Sequence, residues 1–225
     1  MQSNDPNIVS IFHIYNNTIK PLLALVETYR QKYPIELLNE LRYLFDHIAR
    51  CYTSDANEVI RREQIKKTER HVYRTVMDCH KVIIVCCFER VRRFERQTKK
   101  IDIKTIDNGD FESKYTKMEA AARSAQKIAK LQENSNALSH EEKMELFDIA
   151  KSRYIELADF IDEKKKHIIW ARVRYKTITL GSRIIKLIIW LLAVVVGIIL
   201  PMIFSEQFQF ISDWVKRLIA AWMSP

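Results

Sequence analysis

The longest uncharged stretch of the chain lies near its C-terminal end. Residues 187–204 read LIIWLLAVVVGIILPMIF and contain no charged side chain. As a helix rising ~1.5 Å per residue, this stretch is about 27 Å long, close to the hydrocarbon thickness of a bilayer. Ile184 and Ile185 extend it, and the long side chain of Lys186 can reach back to the membrane surface. The pattern therefore predicts a transmembrane helix over residues 184–204.

An amphipathic segment over residues 206–223 follows this span. Its apolar residues recur every three or four positions, at Phe208, Ile211, Val215, Leu218 and Trp222. This spacing is typical of a helix with one apolar face. Two arrangements are open: the helix lies flat on the membrane as an interfacial anchor, or in an oligomer it re-enters the bilayer and lines an opening. The aromatic residues expected at the membrane interface are Trp190, Phe208, Trp214 and Trp222.

Prolines divide the N-terminal part of the chain into helices. Pro6 follows a capping residue, Pro21 is expected to restart a second helical piece, and Pro34 begins a third. In the third helix, apolar residues fall on one narrow stripe that we expect to face the core. The members of this stripe are Leu38, Leu41, Phe45, Ile48 and Tyr52.

Long helices are predicted for the middle of the chain. Asp55 to Glu58 resembles a capping box and opens a helix that runs to about Lys99, with its most deeply buried turn at Val82–Phe88. After a loop and a further helix, Ser139 caps another helix that continues toward the membrane with one interruption, at Gly181. Its predicted core positions are Phe147, Ala150, Tyr154, Leu157, Ile161 and Ile168.

Composition supports an all-α class. The chain has 3 Gly and 5 Pro in 225 residues, too few for the turns of sandwiches, barrels or Gly-rich parallel sheets. The expected architecture is a long-helix cytoplasmic bundle over residues 1–180, one C-terminal transmembrane helix and an amphipathic tail helix. The same scarcity of glycine leaves no phosphate-binding loop, and no cofactor is expected.

The net charge of +9 is unevenly distributed. Between Lys164 and Lys186 there are eight basic residues and no acidic one, whereas the tail after the span carries few charges. By the positive-inside rule, this predicts a single-pass protein with a cytoplasmic N-terminal part, in the inner membrane if the source is bacterial. The residues expected to contact lipid head groups are Lys164, Lys165, Lys166, Arg172, Arg174, Lys176, Arg183 and Lys186.

A second basic region lies on the long central helix. Its positive charges could bind the phosphates of RNA or another anionic partner. The alternative is a solvated face on which Glu63, Glu69, Glu89 and Glu95 neutralise the bases. The candidate contact residues are Arg61, Arg62, Lys66, Lys67, Arg90, Arg92, Arg93 and Arg96.

The cysteines and histidines give no sign of a metal site. No CxxC pair or HExxH motif is present, so none is expected. The cysteines fall within predicted helices, where they are expected to be reduced, structural core residues. They are Cys51, Cys79, Cys86 and Cys87.

One helix carries a family resemblance. Arg42-Tyr-Leu-Phe-Asp-His47 resembles the R-x4-6-H motif of HEPN domains, and the resemblance extends as topology over about residues 5–100. It implies an all-helical bundle and, in active members, metal-independent RNA cleavage by Arg and His of two protomers. In that role His47 is the general acid/base and Arg42 stabilises phosphate charge. With the predicted stripe inward, Arg42 lies about 80° to one side and His47 about 140° to the other, so neither points into its own bundle.

Three functions follow from these features. The favoured one is a membrane-anchored oligomeric effector, similar in domain order to CRISPR-associated and other antiviral membrane proteins, that permeabilises the membrane through its C-terminal helices. The long central helix also favours a homo-oligomer. It is longer than a small bundle needs, so part of it is expected to pack against another subunit. The alternatives are a membrane-tethered HEPN-type metal-independent ribonuclease and a non-enzymatic membrane-anchored scaffold. RNA or a defence-system protein is a candidate partner. Whether the chain is an enzyme stays open, with the favoured function being non-enzymatic.

Overall fold

The computed structural model describes residues 6–53, 55–101, 103–199 and 209–223. Within these ranges 89% of the residues are helical and none is in a strand, which confirms the predicted all-α class. Two compact units are present, one through Ile168 and one from Ile169 onward. The helices are α1 (Pro6–Ile14), α2 (Lys20–Arg30), α3 (Ile35–Arg50), α4 (Glu58–Thr98), α5 (Asp110–Gln132), α6 (His140–Glu163), α7 (Lys165–Val194) and α8 (Gln209–Met223).

The 41-residue helix α4 is the centre of the first unit. It packs against α2, α3 and α6, and α5 packs against α6. The aromatic ring of Phe111 contacts those of Phe94, Tyr115 and Phe160 at centroid distances of 5.2–5.9 Å. All six positions predicted to be buried on α6 and its continuation are buried. The core of the bundle therefore lies on the predicted face of α6. The prediction that Val82–Phe88 is the most deeply buried turn of α4 is wrong: Val85 is 51% exposed, and the more deeply buried stretch lies one to two turns earlier, at residues 75–80.

Pro21 does not separate two helices as expected. A π-helical turn, Tyr15–Ile19, joins α1 directly to α2, and the N–H of Lys20 donates to the carbonyl of Tyr15. Pro21 then lies in the first turn of α2, where its missing N–H costs little. The backbone accommodates Pro21 by a local change from α-helical to π-helical hydrogen bonds, and the helix does not break.

The predicted inward stripe of α3 is wrong in part. Leu37, Leu44 and Ile48 are buried, whereas Leu38 and Phe45 are 48% and 40% exposed. Helix α3 carries apolar residues on two adjacent stripes, and α4 packs on the one that contains Leu37 and Leu44. Phe45 instead packs edge-to-face on the ring of Tyr15, at 5.4 Å.

The structure tests three sequence predictions about where helices begin or are interrupted. The N-cap of α4 is Asn57, not Asp55, because the Asn57 side chain accepts the N–H of Ile60 at 3.0 Å. The Ser139 capping box is present with both of its hydrogen bonds. The interruption expected at Gly181 lies instead at Lys164, between α6 and α7, where Lys164 Nζ pairs with Asp107 at 2.8 Å.

The helix that continues into the predicted span is long and apolar. The segment Lys165–Gly197 contains an 18-residue window of mean hydropathy 2.0, and none of that window is buried. By length and composition it can cross a membrane. Helix α7 ends at Val194 and is followed by a π-helical turn, Val195–Ile199. The predicted end of the span, at residues 200–204, and the interfacial Phe208 lie outside the described residues.

Candidate functional site

Two stacked histidines form a polar cluster between α3 and α4. The rings of His47 and His71 lie 5.2 Å apart with an interplanar angle of 22°. Nδ1 of His47 lies 2.7 Å from Oε1 of Gln64, and Nδ1 of His71 lies 2.7 Å from Oε2 of Glu40. The His71 and Glu40 side chains are 14% and 19% exposed. Both imidazoles are therefore held by protein partners in a partly buried site, which we call the histidine cluster.

The partners of the two Nδ1 atoms in the histidine cluster are oxygens. A carboxylate oxygen only accepts, so Nδ1 of His71 donates to Glu40 Oε2, and Nδ1 of His47 donates to Gln64 Oε1, which faces it. Orientation of an imidazole by a carboxylate through Nδ1 is the arrangement found in general acid–base catalysis. The pair His71–Glu40 has this arrangement in the described structure.

The cluster follows from matched heptad spacings in a helical hairpin. Glu40 and His47 are seven residues apart on α3, and Gln64 and His71 are seven apart on α4. Seven residues are almost two full turns, so each pair lies on one face. The contacts His47–Gln64 and Glu40–His71 show that the helices run antiparallel. This spacing is visible in the sequence, but the register that joins the two pairs is not.

The two motif residues Arg42 and His47 occupy different faces of α3. His47 contacts α4, so the expectation that it points away from its own bundle is wrong; that expectation used the stripe that α4 does not cover. Arg42 is exposed, and its guanidinium carbon lies 5.0 Å from the ring centroid of Tyr43. The ring of Tyr43 in turn lies 5.6 Å from that of His71. Tyr43 thus connects Arg42 to the histidine cluster by ring contacts.

The basic residues of α4 form two separate groups. Lys67 and Arg90 are 23 positions apart in the sequence, which is ~35 Å along a helix. The first group lies within two to three turns of His71, and the second is far from it. No single described site gathers both groups.

Many of these basic residues have protein partners. In the first group, Arg61 Nε donates to the carbonyl of Cys51 at 3.1 Å, and Arg62 and Lys67 pair with glutamates one turn earlier. In the second, Arg90 lies over the ring of Tyr29 and Arg92 over that of Phe88. The remaining candidates, Lys66, Arg93 and Arg96, are exposed.

A third histidine, His80, is almost completely buried in the bundle. It is 3% exposed, its Nδ1 has no hydrogen-bond partner within the described residues, and the nearest carboxylate oxygen, on Asp148, is 3.9 Å away. Burial lowers the pKa of His80 to about 4, and the nearby Lys151 acts in the same direction. This histidine is therefore neutral in the folded protein at neutral pH.

The burial of His80 predicts a loss of stability in mild acid. Because its folded pKa lies below the ordinary value of ~6.5, the unfolded chain binds a proton that the folded chain resists. Stability falls as the pH drops from ~6.5 toward ~4, by about 3 kcal/mol for this group. We expect His80→Leu to reduce that loss, measured as free energy of unfolding at pH 7 and pH 4. The exposed His13→Leu is the matched control, and equal pH dependence in both variants would contradict the assignment.

The cysteines lie in the first unit and are thiols that form no disulfide. Cys51, Cys79 and Cys87 are buried, and Cys86 is partly buried. Burial raises the pKa of Cys79 and of Cys87 to about 12, so both thiols are protonated and unreactive at neutral pH. Within the described residues, no group of three or more His, Cys, Asp or Glu side chains could hold a metal ion.

The basic residues near the span differ in their surroundings. Lys164 is held by Asp107, and its hydrogen bond lowers the pKa of that carboxyl. Arg172 is partly buried and has an interaction partner. The others are exposed along α7: Lys165, Lys166, Arg174, Lys176, Arg183 and Lys186.

The second unit contains an apolar cavity of about 700 Å³ between α7 and α8. Helix α8 contacts the turn Val195–Ile199 directly. Trp190 and Trp222, both predicted to be interfacial, line the cavity and are 55% and 61% exposed. Trp214, the third described member of that set, is 60% exposed. The remaining α7 lining residues are Lys186, Ile189, Leu192 and Ala193.

Comparison of the chain with protein families, curated proteins and solved structures finds no match.

Proposed function

We propose that this protein is a membrane-anchored oligomeric effector of an antiviral or toxin system that permeabilises the membrane through its C-terminal helices. The observation that carries the proposal is the apolar window within Lys165–Gly197, which is entirely unburied. A soluble chain would bury such a surface, because exposing it to water is unfavourable. In this proposal, the N-terminal part is a HEPN-like domain that lies in the cytoplasm and assembles the oligomer.

The second helix of the C-terminal unit supports an effector over a plain anchor. One span is enough to hold a domain at a membrane. Helix α8 adds an amphipathic segment with Asp213, Lys216 and Arg217 exposed on it and two exposed tryptophans. Amphipathic helices of this kind insert into and perturb bilayers. Their presence beside a span favours membrane disruption over passive tethering.

The proposal is tested by expressing three forms of the protein in cells. They are the wild type, Arg42→Ala/His47→Ala, and a truncation before Leu187. Membrane potential and RNA integrity are followed together. The effector function predicts depolarisation by the wild type and by the double variant, with intact RNA, and none by the truncation. Depolarisation that needs Arg42 and His47, or no depolarisation at all, would contradict it.

The histidine cluster favours a second candidate, a membrane-tethered ribonuclease that needs no metal. One imidazole Nε2 would accept the proton of a ribose 2′-hydroxyl while the 2′-oxygen attacks phosphorus. The other ring, protonated, would donate to the leaving 5′-oxygen. His47 and His71 are close enough to act on one phosphodiester, and Gln64 and Glu40 fix their orientation. The neighbouring Arg42 would stabilise the phosphate charge.

For this second candidate, we expect His47→Ala and His71→Ala each to reduce RNA cleavage by at least about 100-fold, since acid–base groups contribute that much. Cleavage of a fluorescent RNA by the purified chain is the measurement. Glu40→Gln keeps the shape but weakens the orientation of His71, so it should give a smaller loss. The exposed His13→Ala should cleave like the wild type. Full activity in the His47→Ala/His71→Ala double variant would exclude this site.

A further inference from the structure

Helix α8 and the apolar part of α7 line the same cavity. Helix α8 contacts the turn Val195–Ile199 at one end, and Trp222 in its last turn lines the same cavity as Lys186. Lys186 precedes Ile199 by 13 residues, which is about 20 Å along a helix. A membrane that contains this stretch of α7 therefore contains α8 at the same depth. Of the two arrangements open from the sequence, this placement favours re-entry into the bilayer.

Helix α8 presents its apolar face to that cavity. Val215, Leu218, Ile219 and Trp222 line it, at the three-four spacing of one helical face. Asp213 and Arg217 are centred on the opposite face, and Lys216 lies at its edge. All three charged residues are exposed, and Lys216 pairs with Asp213 at 3.7 Å. The polar face thus points away from α7.

A charged face at bilayer depth requires water or polar partners. Charged side chains exposed to lipid are costly and are almost always directed at a protein interior or an aqueous cavity. One α7 and one α8 cannot enclose the polar face of that α8. Several copies arranged in a ring can do so, with each α7 toward the lipid and each α8 toward the centre.

We propose that α8 lines a water-filled conduit built by several copies of this chain, and that Arg217 makes the conduit selective for small anions. The proposal rests on the membrane-permeabilising function above. Each copy contributes two positive residues, Lys216 and Arg217, and one negative residue, Asp213, to the wall of the conduit. The net charge of these three residues is +1. Since Lys216 and Asp213 are paired, the uncompensated charge is that of Arg217. Rings of Arg or Lys are the usual basis of anion selectivity in pores.

Ion selectivity in vesicles tests this assignment. The purified full chain is reconstituted into vesicles of phosphatidylcholine and phosphatidylglycerol, and the reversal potential is measured in a KCl gradient. The wild type should show a potential set by chloride, Arg217→Gln a reduced one, and Arg217→Glu one of opposite sign. Lys130→Glu makes the same change of charge on an exposed side chain of α5 and should behave like the wild type. Unchanged selectivity in Arg217→Glu would overturn the assignment.

Cysteine accessibility provides an independent readout of the lining face. Ala220 lies one turn after Arg217 on the same face, whereas Leu218 lines the cavity toward α7. A membrane-impermeant anionic thiol reagent, which the proposed conduit admits, should block ion flux through Ala220→Cys and leave Leu218→Cys conducting. The native cysteines lie in the first unit, which limits background labelling. If the reagent blocks Leu218→Cys and not Ala220→Cys, the assignment of the lining face is wrong. If the wild type shows no ion flux at all, the permeabilising function itself is wrong.

Discussion

Removing the chain from Leu187 onward should transfer the protein from the membrane fraction to the soluble fraction. The deleted part contains most of the unburied apolar stretch, in which each Leu, Ile or Val contributes ~0.3–0.6 kcal/mol to insertion at the centre of a span. The N-terminal unit has its own core and is expected to remain folded without it. Separation of washed membranes from supernatant, followed by detection of the protein, gives the result directly.

A single substitution sharpens this test of the span. Arg at the centre of a transmembrane helix costs ~2.5–3.5 kcal/mol, so Leu191→Arg should greatly reduce stable insertion. Leu131→Arg is the matched control, because Leu131 is 69% exposed on α5 in the other unit. We expect the control protein to stay in the membrane fraction. Retention of both the truncated and the Leu191→Arg proteins on washed membranes would mean that residues 187–199 do not insert.

Phe147→Ala should destabilise the helical bundle by about 3–5 kcal/mol. Phe147 is 1% exposed on α6, and Nζ of Lys81 from α4 lies 5.6 Å from its ring centroid. Removing the ring leaves a cavity at the α4–α6 contact and also removes this cation–π interaction. Because small domains have only ~5–15 kcal/mol of stability in total, the loss is a large fraction of it.

The measurement for Phe147 is chemical denaturation of the full chain in detergent, followed by helical circular dichroism. Phe12→Ala deletes the same ring from a position that is 40% exposed, and its unfolding midpoint should shift much less. Similar shifts for the two variants would show that the α4–α6 contact is not the principal core.

The helices themselves were largely predictable from local pattern. The near absence of Gly and Pro, the Ser139 capping box and the periodicity of α6 depend on residues close in sequence, and the structure has each of them. The inward face of α3 was not predictable in this way, because two apolar stripes compete and the choice depends on where α4 packs. The break at Lys164 likewise depends on Asp107, a residue more than fifty positions away.

The candidate site shows the same division. The motif pointed to His47, but His71 and Glu40 were missed because their contact requires the antiparallel register of α3 and α4. The heptad pairs Glu40/His47 and Gln64/His71 were the available signal. For the C-terminal segment, the amphipathic pattern identified α8, whereas the cavity that it shares with α7 depends on residues that are far apart in the sequence.

Loss of trapped chloride from vesicles that contain the purified full-length chain tests the central proposal most directly. The wild type should make vesicles of phosphatidylcholine and phosphatidylglycerol permeable to chloride, and Leu191→Arg should leave them sealed while Leu131→Arg conducts like the wild type. Vesicles that stay sealed with inserted wild-type protein would contradict membrane permeabilisation as the function of this chain.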